Sequence, residues 1–163
     1  MSDYNEDSIR SLQWNVHLRE RPGMYIGKLG DGSEPDDGIY VLLKEVIDNS
    51  IDEFMRGYGR NIEVTIKDSQ VSVRDYGRGM PLGKVIDCVA RINTGGKFDD
   101  QAYDTAIGMN GVGVKAVNAL STMCFVSSVV NGKKKSARFS AGEIVEDFPI
   151  CETDEHNGTF ISF

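Results

Sequence analysis

Nine residues, Glu45-Val-Ile-Asp-Asn-Ser-Ile-Asp-Glu53, constrain this chain more than any other stretch. At about 100° per residue, Glu45, Asp48, Asn49, Asp52 and Glu53 fall within an arc of roughly 140°. Val46, Ile47, Ile51, Phe54 and Met55 fill the opposite arc. The segment is therefore a helix with one apolar and one acidic, amide-bearing side. Asp36 or Asp37 is placed to cap its start, and Gly57 to end it just beyond Met55. Taken alone, an acidic face is an ordinary solvated surface. Asn49 argues for more, because an amide among carboxylates is awkward for a plain surface and useful to a cation.

The neighbouring segments set the architecture. Ile62, Val64 and Ile66 alternate, as do Val71 and Val73, and the polar turn Lys67 to Gln70 between them makes a hairpin. Residues 83–92 read as a short helix and 93–110 as a long glycine-bearing loop, a length that is usually functional. A helix follows from about Val112 to Leu120, then strands near 123–130, 134–140 and 158–163. Asn131-Gly132 marks a hairpin turn carrying the basic run Lys133 to Lys135, expected to be solvated. Residues 1–14 read as an arm, 15–163 as one domain, and Arg21 to Gly27 as turn punctuation. This order predicts an α+β two-layer sandwich, with helices on one face of a mostly antiparallel mixed sheet.

Composition excludes several classes. The chain has 163 residues and a net charge of −7, which disfavours a major DNA-gripping surface here. No apolar run is long enough to span a bilayer. Cys88, Cys124 and Cys151 are odd in number and scattered, which fits neither a disulfide framework nor a zinc site and suits a reducing cytoplasm. His17 and His156 lie near no Ser or Cys nucleophile motif.

Two glycine-bearing segments carry the remaining chemistry. Asp75-Tyr-Gly-Arg-Gly-Met-Pro81 comes directly off the second hairpin strand. Its glycines permit close approach of a flat ligand, and a strand-end carboxylate can accept from an exocyclic amine. A plain turn with a paired Arg is the competing reading. Gly108-Met-Asn-Gly-Val-Gly113 opens into a helix, whose free N–H groups suit phosphate. It lacks a Walker Gly-Lys-Ser/Thr ending and does not follow a strand.

Together, an acidic-amide helix face, an Asp-x-Gly-x-Gly turn and a glycine-rich lid resemble the Bergerat (GHKL) ATP-binding fold of type II topoisomerases, Hsp90, MutL and histidine kinases. Arg21-Pro-Gly-Met-Tyr-Ile-Gly27, Glu45 to Glu53, Thr94-Gly-Gly-Lys-Phe98 and Gly111 to Leu120 are similar to bacterial type IIA topoisomerase B subunits. The resemblance covers nearly the whole chain, and it favours the topoisomerase IV kind over the gyrase kind. It implies ATP and Mg²⁺ as cofactors. Glu45 would be the general base and Asn49 a ligand to Mg²⁺. Asp75 would receive the adenine amine, with Thr159 assisting and Gly77 admitting the ring. Glu53 and Arg78 would pair at the pocket mouth, with Met80 and Pro81 against the base. Lys97, Gly108, Asn110, Gly111, Val112 and Gly113 would form the phosphate lid.

The implied partners are a second copy of the chain, a DNA-cleaving A-type subunit, and DNA gripped mainly outside this segment. Within the resemblance, Met80-Pro-Leu-Gly-Lys84 is abbreviated and Asn110 stands where the lid often carries His. Ser136, or Arg138 two residues on, falls where an outer-pocket Arg is usual. No residue supplies the Lys that a following domain sends to the γ-phosphate, so ATP binding with poor hydrolysis is expected of this segment. The alternatives are a gyrase-type protein, a histidine-kinase or chaperone relative, and a non-enzymatic adaptor with a merely solvated helix face.

Overall fold

Strand alternation and helix periodicity build one sheet under one helical layer in the computed structural model, which describes residues 11–92 and 111–163. Three helices come first, α1 (Trp14–Glu20), α2 (Gly23–Ile26) and α3 (Gly38–Met55). The hairpin β1 (Ile62–Lys67) and β2 (Gln70–Asp75) follows, then a 3₁₀ turn (Leu82–Lys84), α4 (Val85–Ala90) and α5 (Gly113–Leu120). The remaining strands are β3 (Cys124–Val130), β4 (Lys133–Ser140), β5 (Glu143–Asp147), β6 (Cys151–Glu152) and β7 (Gly158–Ser162). Strand order is β1-β2-β7-β3-β4-β5, with β6 beside β4. Every one of these pairings is antiparallel.

The core lies between sheet and helices. Val46 of α3, Val85 and Val89 of α4 and Val117 of α5 meet Val73, Val126, Ala137, Phe139 and Ile161 from four strands. Burying each such side chain contributes about 1.5–3 kcal/mol, so this face commits the helices to one side. A second cluster of Leu18, Ile26, Ala116 and Ala119, with Trp14 packed on it, fastens α1 and α2 to α5.

Helix α3 matches the expected span, but Asp37 does not cap it through its side chain. Its carboxylate turns back to accept from the N–H groups of Gly32 (2.9 Å) and Glu34 (3.3 Å), stapling the preceding loop instead. Gly57, at φ 84°, donates to the Phe54 carbonyl and ends the helix as expected.

Four elements escape sequence reading, the two-residue β6 among them. Helix α1 takes up Trp14, the last residue of the expected arm, and α2 is a helical turn inside the expected punctuation. The rest of the arm up to residue 10, and the long loop at 93–110, lie outside the described residues. Strand β5 is exposed along its whole length, so no apolar alternation marks it. The basic run is more engaged than a solvated turn: Lys134 pairs with Glu155 at 2.5 Å, and Lys135 pairs with Asp147 and donates to the Phe148 carbonyl.

Candidate functional site

Helix α3 is covered on more than one side. It packs on β2 and also against α5 and α2. Its acidic arc is therefore not a solvated face: Asp48 and Asp52 are 7% and 5% exposed, and Asp48 pairs with Lys44. The apolar arc fails at the other end, where Phe54 and Met55 are 51% and 67% exposed.

Glu45 and Asn49 stand one helical turn apart. The Asn49 Nδ2 donates to the Glu45 backbone carbonyl at 2.9 Å. Glu45 is also pressed against the first residue of α5. A Cβ placed on Gly113 would lie 1.9 Å from Glu45 Oε2 and 2.9 Å from its Cβ. The start of a helix is a favourable place for negative charge, so α5 presents its positive end where the Glu45 carboxylate sits. Gly113→Ala is expected to cost about 1–3 kcal/mol of stability by overpacking. Its melting temperature, at roughly 2–4 °C per kcal/mol for a chain of this size, checks this, and an unchanged value contradicts the close approach.

Asp75 ends β2 and is 7% exposed. Its Oδ1 accepts two backbone hydrogen bonds, from Gly77 N–H at 2.9 Å and Thr159 N–H at 3.1 Å. Among the described residues its Oδ2 meets only a long donor, Ser50 Oγ at 3.4 Å. Burial pushes the carboxyl above its ordinary range, with the Glu53 charge adding to this. The Gly77 and Thr159 N–H groups and Arg74 pull the other way. Thr159, expected beside Asp75, is thus brought there by β7, although the contact observed is its backbone N–H.

Glu53 and Arg78 form the expected pair. Arg78 Nε donates to Glu53 Oε2 at 3.0 Å and its terminal nitrogen to Oε1 at 2.8 Å, a two-pronged bond. The Arg78 backbone N–H adds a third at 3.1 Å. Burial raises the Glu53 carboxyl, but these bonds outweigh it and hold the group below the usual carboxylate range. Gly77 is required beneath this pair, because a Cβ there would approach Glu53 Cβ to 2.9 Å. Met80 packs against the core while Pro81 is exposed, and the Met80 carbonyl accepts from Ser128 Oγ at 2.8 Å.

Of the residues expected in the lid, Gly111, Val112 and Gly113 lead into α5. Lys97, Gly108 and Asn110 lie outside the described residues. Neither candidate for the outer-pocket position stands on a strand next to β2. Ser136 is buried on β4 opposite Ser127, and Arg138 bonds Glu146 at 2.6 Å, three strands from β2. The strand that meets the Asp75 turn is β3: a Cβ on Gly79 would touch the Val129 carbonyl and the Val130 side chain.

Sequence reasoning missed three contributors. Ser50 reaches Asp75, and a Ser inside a helix signals a tied hydroxyl. Tyr58 lies under the Arg78 guanidinium, 4.4 Å from the ring centre, and backs the Glu53–Arg78 pair. Lys115 is buried at 3% exposure and donates to the Gly111 carbonyl at 2.5 Å; burial pushes its ammonium pKa down. Nothing in the sequence marks its burial.

The family model described as histidine kinase-, DNA gyrase B-, and HSP90-like ATPase matches residues 34–162. The B subunit of DNA topoisomerase 4 from Borreliella burgdorferi is 53% identical over 161 residues, covering 99% of this chain and 27% of the relative. The B subunit of DNA gyrase from Rickettsia prowazekii is 39% identical over 176 residues, covering 99% and 21%. The chain therefore spans about a quarter of the length of the curated relatives it matches. Among solved structures, the 43K ATPase domain of Thermus thermophilus gyrase B, in complex with an aminocoumarin, superposes with a TM-score of 0.71. It is 29% identical, with 91% of this chain and 38% of that one covered.

Proposed function

Because the chain belongs to the histidine kinase-, DNA gyrase B- and HSP90-like ATPase family, we propose that it is the ATP-binding and ATP-hydrolysing module of a type II DNA topoisomerase, on the B-type chain of that enzyme. The topoisomerase IV kind is favoured over the gyrase kind by the one relative at 53% identity, while a second topoisomerase 4 relative, at 38%, stands level with gyrase at 39%. The observation that carries the reading is Asp75, a buried carboxylate with one oxygen fixed by Gly77 and Thr159 and the other met, among the described residues, by one long donor. That is the arrangement an exocyclic adenine amine requires. Gly77 keeps the approach clear, Met80 and Pro81 border the ring, and the Glu53–Arg78 pair with Tyr58 beneath it frames the mouth.

Phosphates would lie towards the start of α5, where Gly111, Val112 and Gly113 offer backbone N–H groups. Lys97, Gly108 and Asn110 complete the lid in this assignment. Glu45 orients the attacking water and takes its proton. Among the described residues no group of three or more His, Cys, Asp or Glu is placed to hold a metal. Mg²⁺ keeps water and substrate oxygens and needs few protein ligands. Asn49 would supply one, and the ion would neutralise phosphate charge when bound.

In the full-length protein, nucleotide binding would drive dimerisation of this module and gate DNA passage, in concert with a DNA-cleaving A-type subunit. Among the described residues no helix is long and apolar enough to cross a membrane, and three free cysteines suit the cytoplasm we assign. A non-hydrolysable ATP analogue titrated with and without Mg²⁺ tests the site. At a hundred times its dissociation constant it should add about 2.7 kcal/mol of stability, with tighter binding when Mg²⁺ is present. No thermal shift in either arm rejects the nucleotide site. DNA-stimulated ATPase activity of the full-length protein separates a topoisomerase from a kinase or chaperone relative, neither of which should respond.

A further inference from the structure

Strand β1 lies at the end of the sheet, with β2 as its one neighbour among the described residues. Its backbone shows which groups point outward. Val71 of β2 exchanges both of its hydrogen bonds with Phe163, at 2.8 and 2.9 Å, so it has none left for Ile66 opposite. Antiparallel pairs alternate, which turns the N–H and C=O groups of Ile66, and of Val64 two residues earlier, away from β2. The side chains continue the theme. Val64 and Ile66 share the sheet face of Val73 yet are 42% and 65% exposed. On the other face stand Glu63 and Lys67, both exposed.

We propose that β1 is a self-association edge, on which a second copy of this chain adds its own β1 antiparallel, centred on Thr65. A two-fold axis at Thr65 sets Val64 opposite the second copy's Ile66, so that the outward N–H and C=O groups of each meet those of the other. The same register sets Glu63 opposite Lys67 twice over. Apolar meets apolar on one face and opposite charges meet on the other. Shifting the register by two residues places Glu63 opposite Thr65 or beyond the strand end and loses the charge match. Native edges are usually protected by edge charges, especially Lys, by proline or by bulges; β1 contains no proline, its register against β2 is unbroken, and its two charges are of opposite sign at positions this two-fold pairs. The surface uses none of the nucleotide-site residues, so this association stands independently of the ATP reading.

Sedimentation of the 163-residue chain at low salt, without nucleotide and over a wide concentration range, tests it. The expected mass rises from 18.0 kDa towards twice that value as concentration increases. Lys67→Glu alone and Glu63→Lys alone each place like charges opposite one another at two symmetry-related positions. Each should weaken the dimer by about tenfold. The double variant Glu63→Lys with Lys67→Glu restores both pairs and should recover the original dissociation constant. Far-UV circular dichroism and unaltered nucleotide-analogue binding check that the variants are folded. A monomer at every concentration, a dimer indifferent to the single substitutions, or a double variant no tighter than the singles overturns the proposal.

Discussion

Glu45→Gln is expected to lower ATP turnover by the full-length protein about 10²–10⁴-fold, the range for loss of a positioned general base, while leaving ATP-analogue affinity nearly unchanged. Gln keeps the length and the hydrogen-bonding of the side chain but cannot take a proton from water. It also still fits against Gly113, whose missing Cβ leaves just enough space for the Glu45 carboxylate. The measurement is steady-state hydrolysis beside direct titration of the analogue. A fall in kcat without a fall in affinity identifies the base. Turnover within a few-fold of the original excludes Glu45 from that role, and a parallel loss of binding would mean that it holds nucleotide instead.

Asp75→Asn should have the second-largest effect, and on the other parameter. A hydrogen bond to a charged acceptor contributes about 1.5–3 kcal/mol, so analogue affinity should fall about 10- to 150-fold. Stability should move the other way. Burial raises the Asp75 carboxyl above its ordinary value of 3.8, so the folded state binds that proton more tightly than the unfolded chain does. The associated stabilisation is fully present below the unfolded pKa and is lost as pH rises through the folded one. At neutral pH the native carboxylate therefore carries an ionisation cost that Asn lacks. An Asn side chain retains an acceptor for Gly77 and Thr159, so the variant should melt no lower than the native chain. Native affinity should also drop on acidification in a window above pH 3.8, and this dependence should vanish in the variant. An unchanged dissociation constant removes Asp75 from adenine recognition; a large loss of melting temperature assigns it a structural role.

The legible parts of this fold are those whose local pattern has one solution. The span of α3, the β1–β2 hairpin, the Asn131-Gly132 turn and α5 all follow from period and punctuation. The pairing of Glu53 with Arg78 is expected from the resemblance, and the structure places the two groups in direct two-pronged contact. Elements with little pattern to read are illegible. Helix α1 buries only Asn15 and Leu18, and β5 buries nothing. The position of β4 escapes for a different reason: residue spacing places Ser136 and Arg138 on a strand, but strand order decides whether that strand reaches the Asp75 turn. Here β7 and β3 lie between them.

Glu45 to Glu53 shows where this boundary runs. Its sequence alone determined that a helix forms, that Glu45, Asn49 and Glu53 share one side, and which side-chain chemistry stands there. Periodicity reports the angle between residues about one axis and nothing about what lies across from them. Only the packed structure decided that Asp48 and Asp52 are buried, that Phe54 and Met55 are exposed, and that Gly113 closes on Glu45 while Arg78 folds onto Glu53. Those outcomes depend on contacts between residues far apart in the chain, set by how α5 and the turn after β2 seat against α3.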